Sequence, residues 1–92
     1  FFLDPADVVF VSSAGNYVEF HTAHKTHLIR GTLSGWEQQL QPFGFARIHR
    51  SRLVNPARIA ACRPTASGDL EVILDDGRAL PGSRRYRAAL SG

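Results

Sequence analysis

Arginine provides most of the chemistry that this sequence offers, and it is densest in residues 45–56, FARIHRSRLVNP. Arg47, Arg50 and Arg52 lie within six positions of one another, with His49 among them. Ten of the eleven basic residues in the chain are arginine, whose guanidinium group makes paired hydrogen bonds with phosphate oxygens and with guanine. The stretch therefore indicates a negatively charged partner, and an ordinary solvated basic face is the alternative.

Acidic residues are missing from the arginine-rich parts of the chain. None lies between Glu37 and Asp69, and none follows Asp76. These two segments hold nine arginines: Arg47, Arg50, Arg52, Arg58 and Arg63 in the first, and Arg78, Arg84, Arg85 and Arg87 in the second. Because the two signs of charge are separated along the chain, a polyanion such as nucleic acid is the partner that the pattern favours.

Metal binding and catalysis have weaker signals. His21, His24 and His27 have the spacing HxxHxxH, but they fall on a predicted strand–turn–strand, so exposed hairpin histidines are expected rather than zinc ligands. Cys62 is the only cysteine, which leaves no disulfide framework or thiolate cluster. No nucleophile elbow or phosphate-binding loop motif is present. We therefore expect no enzyme activity, no metal and no cofactor.

Length and composition indicate one globular domain spanning residues 1–92. The chain is 43% hydrophobic and 21% charged, which is typical of a folded rather than a disordered chain. It has no apolar run near the ~20 residues of a membrane span. It also has no methionine at position 1, so we expect it to be part of a longer protein.

Alternation of apolar and polar residues predicts a mainly β fold. The predicted strands are residues 8–11, 17–22, 27–30, 45–48, 59–63, 69–74 and 78–80. Turns are predicted over residues 12–16 and 75–77, where small, polar and glycine residues cluster.

One helix is predicted after the third strand. Thr32 can cap it, and three apolar residues share one face: Leu33, Trp36 and Leu40. Pro42 and Gly44 are expected to end it.

Two further helical segments are predicted. Alternation fails across residues 49–51, so Ser51 is expected to cap a single helical turn over residues 52–55, ended by Pro56. A short terminal helix is expected over residues 83–90. Phe43 and Phe45 are expected to belong to the core.

Four motifs in order resemble the LytTR family, the DNA-binding output domains of bacterial response regulators. They are VFVSSAGNYV at 9–18, GTL at 31–33 with Leu40, FARIHRSRLVN at 45–55, and DG at 76–77 followed by LPGSRRY at 80–86. The resemblance covers about residues 6–90. It implies small antiparallel sheets packed as an elongated β fold, with one or two short helices, whose loops enter successive major grooves of promoter DNA.

The candidate contact residues follow from this resemblance and from residue chemistry. Base contacts are expected from Asn16, Tyr17, Asn55 and Arg85, and phosphate contacts from Lys25, Arg50, Arg52 and Arg84. Asn55 has a structural alternative, in which its side chain caps the turn before Pro56. His49 is expected to be a hydrogen-bonded structural residue rather than a base reader.

The resemblance also implies partners. These are double-stranded promoter DNA with tandem half-sites, and an upstream receiver or membrane sensor domain in the same chain. The isolated domain is expected to be a monomer that dimerises on DNA, in the cytoplasm or tethered to the membrane through preceding segments. An RNA-binding module and a protein-interaction module with a basic surface are the alternative functions.

Overall fold

Eight strands and one α-helix make up the part of the chain that the structure, a computed structural model, describes, residues 3–86. They are β1 Val8–Ala14, β2 Tyr17–Thr22, β3 Thr26–Arg30, α1 Leu33–Leu40, β4 Ala46–His49, β5 Arg52–Val54, β6 Ile59–Pro64, β7 Leu70–Leu74 and β8 Ala79–Gly82. Short 3-10 turns cover Pro5–Asp7, Gln41–Phe43, Pro56–Arg58 and Arg84–Tyr86. Within these residues no helix is long and apolar enough to cross a membrane.

Two antiparallel sheets form the fold, which confirms the mainly β prediction. The larger sheet has the strand order β3-β2-β1-β5-β4, and the smaller has the order β6-β7-β8. The principal extents are 39 × 24 × 22 Å, so the fold is elongated.

The five-stranded sheet lies between α1 and the three-stranded sheet. On one face, Leu33 and Leu40 of α1 pack in a cluster with Val11 of β1. On the other face, Val72 of β7 packs in a cluster with Ile48 of β4. The central strand β1 therefore begins with four buried apolar residues instead of alternating, because both of its faces are covered.

The predicted helix is confirmed with its cap. The Thr32 hydroxyl accepts a 3.0 Å hydrogen bond from the Gly35 amide. Gly44 ends the segment in the left-handed region, with φ 85°, a conformation that glycine adopts without a steric penalty. Phe45 is buried as expected, but Phe43 is 58% exposed, so its assignment to the core was wrong.

The first predicted turn is too long. Residues 12–14 continue β1 and pair with β2, and only Gly15 and Asn16 form the turn. Gly15 has φ 63°, as a two-residue hairpin turn requires at its first central position. Cross-strand pairing overrides the local turn preference of the two serines and the alanine.

The predicted helical turn over residues 52–55 is also wrong. Arg52–Val54 is a strand whose Leu53 and Val54 are fully buried and pair with β1. Burial of these two side chains between the layers outweighs the local cap signal at Ser51, because tertiary packing decides such short segments. Of the predicted terminal helix, the structure describes only the 3-10 turn Arg84–Tyr86, and residues 87–90 lie outside the described part.

Candidate nucleic-acid interface

The first polar turn is the β1–β2 turn, which carries Asn16. Its carbonyl oxygen accepts a 3.0 Å hydrogen bond from the Gly31 amide, and Tyr17 pairs with Arg30 at the end of β3. The Arg30 guanidinium carbon lies 5.7 Å from the centroid of the Tyr17 ring, within cation–π range. The end of β3 therefore adds an arginine to this turn.

The second turn, Arg50–Ser51, joins β4 to β5 and lies beside the first. The Ser13 amide donates a 2.9 Å hydrogen bond to the Ser51 carbonyl, and Ser12 pairs with Arg52 across β1 and β5. Because neighbouring strands are ~4.8 Å apart, the centres of the two turns are separated by roughly 10 Å. They lie at the same end of the five-stranded sheet.

The third turn, Arg84–Tyr86, is attached to the outer strand β4. The Ser83 amide donates a 2.7 Å hydrogen bond to the Ile48 carbonyl. The Arg84 amide donates to Asp69 Oδ1 at 3.1 Å, and the Arg85 amide to Ser83 Oγ at 3.2 Å. Both arginine side chains are thus carried by a turn with satisfied backbone groups, next to the β4–β5 turn.

These three turns define one surface, which we call the basic end of the five-stranded sheet. Its members are Asn16, Tyr17, Arg30, Arg50, Arg52, Arg84 and Arg85. Across it, the turns follow one another in the order Asn16, Arg50, then Arg84 and Arg85. Six of the eight residues nominated from the sequence lie here.

The distribution of ion pairs corrects the view that the arginines lie away from acids. Folding brings four of them against carboxylates: Arg47 to Glu37 at 2.7 Å, Arg58 to Asp75 at 2.9 Å, Arg63 to Glu71 at 2.8 Å and Arg78 to Asp76 at 2.6 Å. Separation along the sequence was a poor guide because folding joins distant segments: β6 pairs with β7 and brings Glu71 to Arg63, and Glu37 of α1 reaches Arg47 of β4. Within residues 3–86, the arginines with no ion pair are Arg30, Arg50, Arg52, Arg84 and Arg85, and all five lie at the basic end.

Lys25 lies away from this surface. It is in the β2–β3 turn, where its carbonyl accepts a 2.8 Å hydrogen bond from the Thr22 amide. Tyr17 begins β2 and Thr22 ends it, and a strand of that length spans ~17 Å. Lys25 is therefore at the opposite end of the sheet from Asn16.

Asn55 is also at the opposite end, and it is 7% exposed. Its Oδ1 accepts a hydrogen bond from the Ala57 amide, and its Nδ2 donates one to the Val8 carbonyl, both at 3.1 Å. The capping alternative is thus what the structure shows. A base contact from Asn55 stays a prediction, and it would require this side chain to leave two internal partners.

His49 orders the β4–β5 turn through Ser51. Its Nδ1 accepts a 3.2 Å hydrogen bond from the Ser51 amide and lies 2.8 Å from Ser51 Oγ. Arg52 donates to the same hydroxyl at 3.1 Å. Partial burial lowers the pKa of His49, and Arg52, Arg50 and Arg47 lower it further by charge repulsion. The neutral imidazole, which can accept these bonds, is therefore the favoured form, as expected for a structural role.

His21 is one of the three histidines with the HxxHxxH spacing. Its two ring nitrogens lie 2.9 Å from Ser12 Oγ and 3.2 Å from Thr26 Oγ1, and its ring stacks on Phe10 with centroids 4.0 Å apart. Burial is the main cause that lowers the pKa of His21, although Glu19 opposes it. In residues 3–86 no group of three histidine, cysteine, aspartate or glutamate side chains is arranged to hold a metal ion.

Sequence reasoning did not identify Arg30 as a member of the basic end, and it did not distinguish Arg47, which pairs with Glu37, from the neighbouring arginines. Arg30 was identified only as the end of a strand, and its place opposite Tyr17 depends on the hairpin register. A count of the residues in the β2–β3 turn was the one signal that could have placed it. Arg47 was grouped with its neighbours, and nothing in the sequence distinguished its contacts from theirs.

Comparison with known proteins finds a matching family model and a solved structure with the same fold. The family model described as LytTr DNA-binding domain matches residues 1–92. The solved structure of the LytTr DNA-binding domain of a putative methyl-accepting/DNA response regulator from Bacillus cereus superposes with a TM-score of 0.84. That match has 23% identity and covers 94% of this chain and 79% of the other, so it supports the fold.

Three full-length relatives are similar over most of this chain. Sensory transduction protein LytT of Enterococcus faecalis is 32% identical over 82 residues, covering 89% of this chain and 34% of that protein. The CO-responsive transcriptional regulator RcoM of Rhodospirillum rubrum is 36% identical, covering 83% and 32%. Transcriptional regulatory protein BtsR of Escherichia coli is 37% identical, covering 98% and 37%. The chain thus spans about a third of the length of the relatives it matches.

Proposed function

The chain belongs to the LytTr DNA-binding domain family, and on that premise we propose that its basic end is the surface that binds double-stranded DNA. Within residues 3–86, five guanidinium groups without a carboxylate partner are gathered there, while the four other arginines pair with carboxylates elsewhere. This clustering is the observation that carries the proposal, because release of counterions from phosphates drives most protein–DNA affinity.

The order of the three turns supports a different role for each of them. Asn16 and Arg85 occupy the outer turns, and asparagine and arginine are the side chains that pair with adenine and guanine edges in the major groove. Arg50 occupies the middle turn. The outer turns enter successive major grooves, and Arg50 contacts the phosphates between them.

The remaining members of the basic end support these contacts. Arg84 and Arg52 are placed to contact phosphates beside Arg85 and Arg50. Tyr17 contacts a base next to Asn16, with Arg30 held over its ring. Lys25 and Asn55 belong to the same set of predictions, but their place at the far end of the sheet argues against direct contact when the basic end faces DNA.

The domain serves as the output part of a transcriptional regulator. Its matches to LytT, RcoM and BtsR each cover about a third of the relative, which leaves room for a receiver or sensor domain in the same chain. Binding to tandem half-sites as a dimer, with a monomer in isolation, fits a single small domain that carries one interface. A partner that is genomic DNA places the domain in the cytoplasm, whether free or tethered to the membrane.

The experiment is a titration of the domain against four labelled probes. These are a duplex selected by the domain from a randomised pool, a scrambled duplex, the same sequence as single strands, and an RNA duplex. The proposal requires the selected DNA duplex to bind most tightly, with affinity that falls steeply as salt rises. Preference for either RNA or single strands would favour the RNA-binding alternative. No binding to any probe at low salt would leave the protein-interaction alternative.

A further inference from the structure

Arg47 differs from every arginine of the basic end, although it lies three residues before Arg50. Its side chain is 15% exposed. It is paired with a carboxylate, and it points along the helix-facing side of β4, where its strand partner is the fully buried Leu53. It is therefore poorly placed to contact DNA itself.

The Arg47 guanidinium contacts three separate segments. Nε donates to the His49 carbonyl at 2.8 Å, and Nη2 donates to the Arg50 carbonyl. Nη1 donates to Glu37 Oε1 of α1 at 2.7 Å. The guanidinium carbon also lies 5.8 Å from the centroid of the Tyr86 ring.

These contacts join two of the turns that the proposed interface uses. The His49 carbonyl is at the end of β4, and the Arg50 carbonyl is at the first position of the β4–β5 turn. Tyr86 ends the turn that carries Arg84 and Arg85. Glu37 ties the same guanidinium to the helix layer. We propose that Arg47 is a positioning residue, which holds the second and third turns in a fixed mutual arrangement before DNA binds.

The chemistry of the contacts requires arginine rather than simply a positive charge. A planar guanidinium carries five N–H donors in its plane, which here reach two carbonyls and a carboxylate, while its face stays available to an aromatic ring. A lysine ammonium group can replace one of these bonds but cannot span them together. An Arg47→Lys variant therefore keeps the charge and loses the arrangement.

The inference rests on the proposed function for its DNA readout, but it also has a readout in the free domain. The first measurement is the backbone order parameters of the Arg50 and Arg85 amides by NMR in Arg47→Lys, with Arg63→Lys as the matched control. Arg63 also pairs with a glutamate, but on β6, where the Arg63 side chain is 67% exposed. We expect increased motion at both amides in Arg47→Lys and none in Arg63→Lys. Unchanged order parameters in Arg47→Lys would overturn the proposal, whether or not the wild type binds DNA.

The second measurement uses the selected and scrambled duplexes. In Arg47→Lys the freed turns must be immobilised again on binding. The affinity for the selected duplex should therefore fall by about tenfold, and the affinity for the scrambled duplex should fall much less. The slope of log affinity against log salt should stay as in the wild type. A fall in that slope by about one unit in Arg47→Ala would instead identify Arg47 as a phosphate contact and overturn the proposal.

Tyr86 gives an independent test of the link to the third turn. Tyr86→Phe retains a ring under the guanidinium and should bind like the wild type. Tyr86→Leu removes the ring and should lower the preference for the selected duplex, with little further loss when combined with Arg47→Lys. Fully additive losses in the double variant would show that the two residues act independently and would contradict the link. Failure of the wild type to bind any duplex would refute the proposed function instead, and the order parameters would still decide the role of Arg47.

Discussion

The backbone amide of Ser83 donates a 2.7 Å hydrogen bond to the carbonyl oxygen of Ile48, 35 positions earlier in the sequence. This bond places the turn that carries Arg84 and Arg85 against the outer strand of the five-stranded sheet. The same strand leads directly into the Arg50–Ser51 turn. One contact therefore explains how arginines from two distant, acid-free segments become neighbours on a single surface.

Replacement of Arg85 by alanine should reduce specificity. A lost bidentate contact to guanine costs about 1–3 kcal/mol, so the selected duplex should bind roughly 5–150 times more weakly. The scrambled duplex should be affected much less. Competition binding with both duplexes measures the ratio, and Arg63→Ala is the control. An unchanged ratio would remove Arg85 from the set of base-reading residues.

Replacement of Arg50 by alanine should lower the affinity for all duplexes by the same factor. If its side chain neutralises one phosphate, the slope of log affinity against log salt should become shallower by about one unit. Affinities for the selected and scrambled duplexes between low and moderate salt check this. A selective loss of the selected duplex, with the slope unchanged, would show that Arg50 reads a base.

Replacement of Asn55 by alanine should affect stability more than binding. The variant loses the cap on the Ala57 amide and leaves the Val8 carbonyl without its side-chain partner, which should cost about 1–3 kcal/mol in the free energy of unfolding. Urea unfolding measures this cost. DNA affinity of the folded variant should stay within a few-fold of the wild type, whereas a large selective loss would support the base contact that the sequence suggested.

Stability should fall as the pH drops below about 6.5, the ordinary pKa of histidine. Burial lowers the pKa of both His21 and His49 in the folded state, so the unfolded chain takes up protons first and is favoured as acid is added. The contribution is fully present above that pH and is lost as the pH falls through the lowered values. Urea midpoints between pH 8 and 5 measure it. A His21→Asn, His49→Asn double variant should show a much weaker dependence, and an equal dependence would contradict this cause.

The sequence predicted the strands that alternate clearly, the capped helix and the mainly β class. It failed where packing between layers outweighs local signals. Leu53 and Val54 became a strand because they are buried against β1, not the helical turn that Ser51 and Pro56 suggested. The same limit applies to the site. The chemistry of arginine and asparagine could be read from the sequence. The strand register that brings Arg30 to Tyr17 could not, because it depends on contacts between distant segments. The same is true of the hydrogen bonds that bury the Asn55 side chain.

The most direct test of the proposed interface is NMR titration of the isotopically labelled domain with the selected duplex. We predict that the largest shifts of backbone amides occur in the three turns of the basic end, at Asn16, Arg50 and Arg85, and that the amides of Lys25 and Asn55 change little. Largest shifts at Lys25 and Asn55, with the three turns unaffected, would contradict the assignment of DNA binding to the basic end.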